Sequence, residues 1–189
     1  DKKTIRQKWL LEFTKDIKEL LNNKKNLIIV SSGAIALGCK KLNLNKKNLK
    51  LDKSQAVASI GQIELMNLFK KTFNAKKINL SQILLTLEDT EQRRRAINAK
   101  RTFENLFNLE FVPVVNENDS IATTEIKYGD NDRLASRVAQ ISGADCLILL
   151  SDVNGLYSKN PKIDKNAKLI KEIKNIDEKI EKIATRSIG

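Results

Sequence analysis

The sequence predicts a layered α/β domain built on parallel strands. Short apolar runs centred on Leu27 to Val30, Ile83 to Leu85, Phe111 to Val115 and Cys146 to Leu150 have the pattern of strands buried on both faces. The segments between them are too long for hairpins and carry apolar residues three or four apart, as helical crossovers do. Small, hydroxyl, amide and carboxylate residues follow each run, which is where open α/β sheets hold ligands.

Along the chain, Thr4 to Asn22 places Ile5, Trp9, Phe13, Ile17 and Leu20/Leu21 on one face, predicting an amphipathic helix. The first strand, Leu27 to Val30, leads through Ser31-Ser32-Gly33-Ala34 into a short helix ending near Leu42. Lys53 to Phe73 is the next helix, with Val57, Ile60, Leu65, Leu68 and Phe69 on its apolar side and Gly61 marking a break or a close contact. A second strand spans Leu80 to Thr86, and a helix from Glu91 to Phe107 carries Arg93-Arg94-Arg95 with Ile97, Phe103, Leu106 and Phe107. In the third strand, Phe111 to Val115, Pro113 suits a position near the start or an unpaired edge. Asp130 can cap a helix to Ser142 with Leu134, Val138 and Ile141 inward, and Cys146 to Leu150 is the fourth strand. The Lys-rich remainder holds one helix around Asp177 to Ala184. No linker or repeat divides the chain, which reads as one domain over residues 1–189.

Composition excludes several chemistries. Histidine is absent, which removes Ser-His-Asp, Cys-His and HExxH catalysis and leaves carboxylates, lysines, backbone amides and an oxygen-ligated ion such as Mg²⁺. Cys39 and Cys146 lie far apart without CxxC spacing, predicting two buried thiols in a cytoplasmic protein and neither disulfide nor protein-held metal site. Asp1 to Lys8 is polar, unlike a signal peptide, and no apolar run is long enough to span a membrane. Net charge is +12, but the lysines are dispersed and the aromatics few, without any nucleic-acid-binding spacing, so solvated surface is the expected role of the charge.

Two acidic-amide tetrads carry the strongest site signal. Asn116-Glu117-Asn118-Asp119 directly follows a buried strand, where four polar residues are costly unless paired. Gly129-Asp130-Asn131-Asp132 repeats the theme at a helix start. Capping and Asx turns account for some of these residues, but two such tetrads around one loop exceed what capping needs. Together they offer carboxylate for an ammonium and amides for oxygens, as a zwitterionic amino acid requires. The Ser32-Gly33-Ala34 turn suits a carboxylate or phosphate at a helix N-terminus, or is capping chemistry alone. No Walker-type GxxxxGK[ST] loop and no HRD or DFG motif is present.

Ser31-Ser32-Gly33-Ala34-Ile35, both tetrads, and Leu149-Leu150-Ser151-Asp152-Val153-Asn154-Gly155-Leu156-Tyr157 resemble, in order and spacing, signatures of the amino-acid kinase family and of its glutamate-phosphorylating branch. The resemblance runs from about Asn26 to Leu169 and includes Gln55 to Met66 and Leu84 to Asn98. It implies a three-layer αβα sandwich of the carbamate kinase-like type with a mainly parallel sheet. It also implies transfer of the ATP γ-phosphoryl group, with Mg²⁺, to the L-glutamate side-chain carboxylate at the head of proline biosynthesis, by a cytoplasmic homo-oligomer. By motif match, Ser32, Asp119 and Asn131 would contact glutamate, with Asn116 helping and Asp130 supporting the loop. Asp132 is the catalytic candidate, orienting lysines that neutralise the transferring group, and Ser151 and Asp152 would lie in the nucleotide site. The family pattern also has a first strand with a lysine-bearing glycine-rich turn and a later TGGM-type turn with a second lysine. Neither is found between Asp1 and Gly189, so the chain is expected to be part of a longer enzyme. Kinases for aspartate, acetylglutamate, carbamate or uridylate share the fold, and a non-catalytic binder of small molecules or nucleic acid is the reading from a different class.

Overall fold

The computed structural model describes residues 7–122, 130–151 and 153–185. The chain forms two compact units, residues 1–147 and 148–189.

Among the described residues, the first unit contains α1 (Gln7–Asn22), β1 (Ile29–Val30), α2 (Ala34–Leu42), a 3₁₀ turn (Lys46–Asn48) and α3 (Leu51–Asn74). These are followed by β2 (Asn79–Leu85), α4 (Leu87–Glu91), α5 (Arg93–Asn108), β3 (Phe111–Glu117) and α6 (Asp130–Ser142). The three strands are parallel in the order β1-β3-β2, with Ile29 opposite Val114 and Leu80 opposite Val112. Strand alternation then distributes the core over two faces. Val112, Val114 and Ile29 pack with Leu10 and Ile17 of α1 and Leu65, Phe69 and Phe73 of α3. Val115 packs on the opposite face with Phe103 of α5 and Leu134 and Val138 of α6. Helices therefore cover both sides of the sheet, giving the expected three αβα layers.

Several elements differ from the sequence expectation. Thr4 to Arg6, including Ile5, lie outside the described residues. The buried face of α1 is Leu10, Thr14 and Ile17, whereas Trp9 is half exposed and stacks on Phe13 with ring centroids 5.2 Å apart. The large indole gains more by lying across a neighbouring ring than it would by entering a core already filled by Phe69 and Phe73. The helix expected from Glu91 to Phe107 is observed as α5 from Arg93, separated by the extended Gln92 from the unexpected short α4, and Ile97 is exposed.

Pro113 lies in the central strand, not on an edge. Ser31 N–H donates to the Val115 carbonyl at 2.9 Å, so by alternation Pro113 also faces the β1 side. Its missing N–H falls below the level where pairing with β1 begins, at Ile29 and Val114. This accounts for β1 being only two residues long.

Residues 146–150 form no strand. Cys146 is exposed, not buried, and so are Leu147, Ile148, Leu149 and Leu150. An apolar run specifies a two-sided buried strand only where a neighbouring strand supplies hydrogen bonds, and no such ladder forms here among the described residues.

Where β2 meets α4, Thr86 and Asp89 form a reciprocal capping box, with Thr86 N–H donating to Asp89 at 2.8 Å and Asp89 N–H to Thr86 Oγ1 at 3.1 Å. Partial burial disfavours the Asp89 carboxylate, but hydrogen bonds from Thr86 and the Arg95 guanidinium, 2.6 Å away, outweigh it and hold its pKa below the usual carboxylate value. The folded-state pKa is depressed, so this contribution is present above the ordinary pKa of about 3.9 and is lost as pH falls through the folded value. Between pH 7 and pH 3 the urea midpoint of the parent should fall further than that of Asp89→Asn. Thr86→Ala, which removes one cap, should cost on the order of 1 kcal/mol at pH 7.

Among its described residues the second unit contains an isolated antiparallel bridge between Tyr157 and Leu169 and one helix, α7 (Glu178–Thr185). Asp177 Oδ1 caps α7 by accepting from Ile180 N–H at 2.8 Å. Among the described residues no helix is long and apolar enough to cross a membrane.

Candidate active site

The carboxyl ends of β1 and β3 and the first turn of α6 meet through side-chain amides. Asn116, at the end of β3, is 2% exposed. Its Oδ1 accepts from Asn131 Nδ2 at 3.1 Å, and its Nδ2 donates to Gln62 Oε1 of α3 at 2.8 Å. Asn131 Nδ2 also donates to the Ser31 carbonyl between β1 and α2. One buried amide thus ties three segments that are distant in sequence, and its pairing answers the desolvation cost expected for this tetrad.

The turn leading into α2 is shaped by Gly33, whose φ of 113° is a conformation L side chains rarely adopt. Among the described residues no side chain caps the first-turn amides of α2, and Ser32 beside them is exposed.

The approach of α2 to α3 depends on two glycines. A Cβ on Gly61 would lie 1.7 Å from the Ala34 carbonyl oxygen, and one on Gly38 would lie 2.1 Å from that of Val57. Gly61 is thus the close contact, with no break in α3. Because Gln62 adjoins it, the same contact sets the position of the amide that meets Asn116.

A cleft of about 130 Å³ lies beside this network, lined among others by Ser59 and Gln62 of α3, Leu84 of β2, and Glu117 and Asp119. Burial pushes the Asp119 carboxyl above the usual range, while the Lys46 ammonium pulls in the opposite direction. Two bonds hold the described part of the loop after β3. Asn118 N–H donates to the Leu85 carbonyl at 2.9 Å, and Gln55 Nε2 donates to the Ala122 carbonyl at 2.9 Å.

The structure therefore brings Asn116, Asn131 and the Ser31–Gly33 turn together, with Asp119 on the adjoining cleft. Asp130 is the first residue of α6, and its side chain lies outside the described residues, as does Gly129. Asp132 is exposed on the first turn of α6. Ser151 belongs to the second unit, where its Oγ accepts from Val153 N–H at 3.3 Å, and Asp152 lies outside the described residues. Among the described residues, no group of three or more carboxylates and cysteines is placed to hold a metal ion. Gln62 and Gln55 were not expected as site residues. Their sequence signal is two glutamines two helical turns apart, hence on one face of α3.

A sequence profile of the amino acid kinase family matches residues 1–188. The glutamate 5-kinase of Pelagibacter ubique (strain HTCC1062) is 80% identical over 189 residues, covering 100% of this chain and 51% of that relative. The glutamate 5-kinases of Ruegeria sp. (strain TM1040) and Bradyrhizobium diazoefficiens are 51% and 48% identical, over 95% and 97% of this chain and 49% of each relative. The chain spans about half the length of the curated relatives it matches.

Proposed function

The chain belongs to the amino acid kinase family, and from that premise we propose that the intact protein transfers the γ-phosphoryl group of ATP to the side-chain carboxylate of L-glutamate. The product is glutamyl 5-phosphate, which opens proline biosynthesis in the cytoplasm. The observation that carries this reading is the amide network joining the Ser31–Gly33 turn, Asn116 and Asn131 beside the half-buried Asp119. The relatives' shared name supports the choice of glutamate.

In this reading the Asp119 carboxylate holds the substrate ammonium, Asn131 and Ser32 hold its oxygens, and Asn116 fixes Asn131. The uncapped amides at the start of α2 face the anionic groups. A side-chain carboxylate oxygen attacks the γ-phosphorus, a new P–O bond forms, and the bond to the β,γ-bridging oxygen breaks with release of ADP. The attacking carboxylate is already ionised at neutral pH, so no general base is needed and the absence of histidine is no obstacle. Catalysis then rests on alignment and charge neutralisation, with Asp132 orienting lysines and Ser151 and Asp152 serving the nucleotide. Mg²⁺ would enter bound to the nucleotide phosphates, as part of the substrate.

ADP release by the intact natural protein, measured with glutamate, aspartate, acetylglutamate, carbamate and UMP as acceptors, tests the proposal. Glutamate should stimulate release and, with hydroxylamine present, yield a hydroxamate from the acyl phosphate. Turnover on another acceptor without any on glutamate would refute it.

A further inference from the structure

The amide network has a fixed polarity. The Ser31 carbonyl can only accept, so Asn131 must present Nδ2 to it. The other hydrogen of Asn131 Nδ2 points to Asn116, which must therefore present Oδ1. That turns Asn116 Nδ2 toward Gln62, which must present Oε1. The last link, Gln62 Nε2, is then forced to be a donor. It is shielded from water and has no hydrogen-bond partner among the described residues, although Gln62 lines the cleft shared with Asp119. A buried donor left unpaired is costly, and an acceptor that enters the cleft would relieve that cost.

We propose that Gln62 is a substrate-positioning residue whose Nε2 donates a hydrogen bond to the α-carboxylate of the bound amino acid. This rests on the glutamate reading above and deepens it. The α-carboxylate is the group favoured because it shares its carbon with the ammonium, and Asp119, the carboxylate suited to that ammonium, lines the same cleft. Desolvation of Asp119 in the absence of ligand agrees with a site built to receive a cation. The relay also gives Asn131 and Gln62 a common origin in the Ser31 carbonyl, so the two amides are oriented together.

Gln62→Glu is the discriminating variant. It keeps an oxygen for Asn116 Nδ2 but replaces the free donor with a negative charge facing the substrate carboxylate. In the intact protein the KM for glutamate should rise about tenfold or more, since a hydrogen bond to a charged group is lost and repulsion is added. The kcat and the KM for ATP should stay near the parent values, whereas the Tm should fall, because a carboxylate oxygen shielded from water is left unpaired. Gln62→Met, which also strips Asn116 of its acceptor, should raise the same KM and lower Tm as well. A Gln62→Glu enzyme whose glutamate KM is within about twofold of the parent, well below the tenfold expected for one charged hydrogen bond, would overturn this inference alone. A parent that shows no glutamate-dependent turnover would overturn the glutamate reading, and this inference with it.

Discussion

Gly61→Ala should be among the most destabilising single-methyl additions in the first unit. The new carbon would sit 1.7 Å from the Ala34 carbonyl oxygen and 2.5 Å from the Gly38 nitrogen, both backbone atoms. No rotamer change can relieve contacts to backbone, so α2 and α3 must separate. Overpacking of this kind costs about 3 kcal/mol, at the upper end of the usual range. For a unit of this size that corresponds to a Tm lower by roughly 10 °C. Gly143→Ala is the control: its φ is 71°, but its missing Cβ faces open space, so it should cost only about 1 kcal/mol of backbone strain. Thermal unfolding of the two variants against the parent separates crowding from conformational strain. A Gly61→Ala protein that melts with the parent would show that the close approach of α2 and α3 is not required. The contact also bears on the candidate site, because Ala34 opens α2 and Gln62 adjoins Gly61. Displacing that contact moves both the Ser31–Gly33 turn and the amide that meets Asn116.

The layered α/β architecture was legible because its two periodicities are unmistakable: four-residue apolar runs such as Leu27 to Val30, and apolar residues three or four apart in α1, α3 and α6. Strand order was not legible, since nothing local in Phe111 to Val115 marks it as central, and Pro113 suited either a position near the strand's start or an edge. Its position became intelligible only once the side on which it lacks a partner was known. The same limit explains residues 146–150, whose composition is that of a buried strand although no ladder forms around them. Composition states what a segment would bury; pairing depends on neighbours that the segment does not encode.

Within the candidate site, the sequence offered Ser32, Asn116 and Asn131 only as parts of a Ser-Gly turn and two polar tetrads, each with a capping or Asx-turn reading of its own, and their meeting is tertiary. Gln62 was not offered as a site residue, because a glutamine within a long amphipathic helix normally faces water. What distinguishes it is its position beside Gly61, where the α3 backbone meets the start of α2, and that contact is tertiary. The two facts together make a coherent unit: the glycine admits the helix, and the adjoining amide then reaches the end of β3.

Asp119→Asn should have the largest effect on activity, and an opposite effect on stability. Burial raises the Asp119 pKa in the folded protein, with Lys46 offsetting part of that shift. Below the ordinary pKa of about 3.9 the group is protonated in both states and contributes no difference. As pH rises toward the raised folded value, the unfolded chain ionises first, so stability falls across that interval and remains reduced above it. The neutral amide carries no such penalty, so Asp119→Asn should melt at or above the parent temperature at pH 7 and show a flatter dependence of Tm on pH between 3 and 7. For the reaction the sign reverses. An ammonium entering the cleft finds an amide in place of a carboxylate, and kcat/KM for glutamate should fall about 100-fold, equivalent to roughly 2.7 kcal/mol. Most of the loss should appear in KM for glutamate, with KM for ATP little changed, because in the proposed role Asp119 contacts the amino acid and not the nucleotide. A variant that is more stable and still turns over glutamate at the parental rate would leave the raised pKa as a property of the fold alone. A more stable but inactive variant would mean that the protein tolerates a desolvated carboxylate in exchange for an amino-acid ammonium.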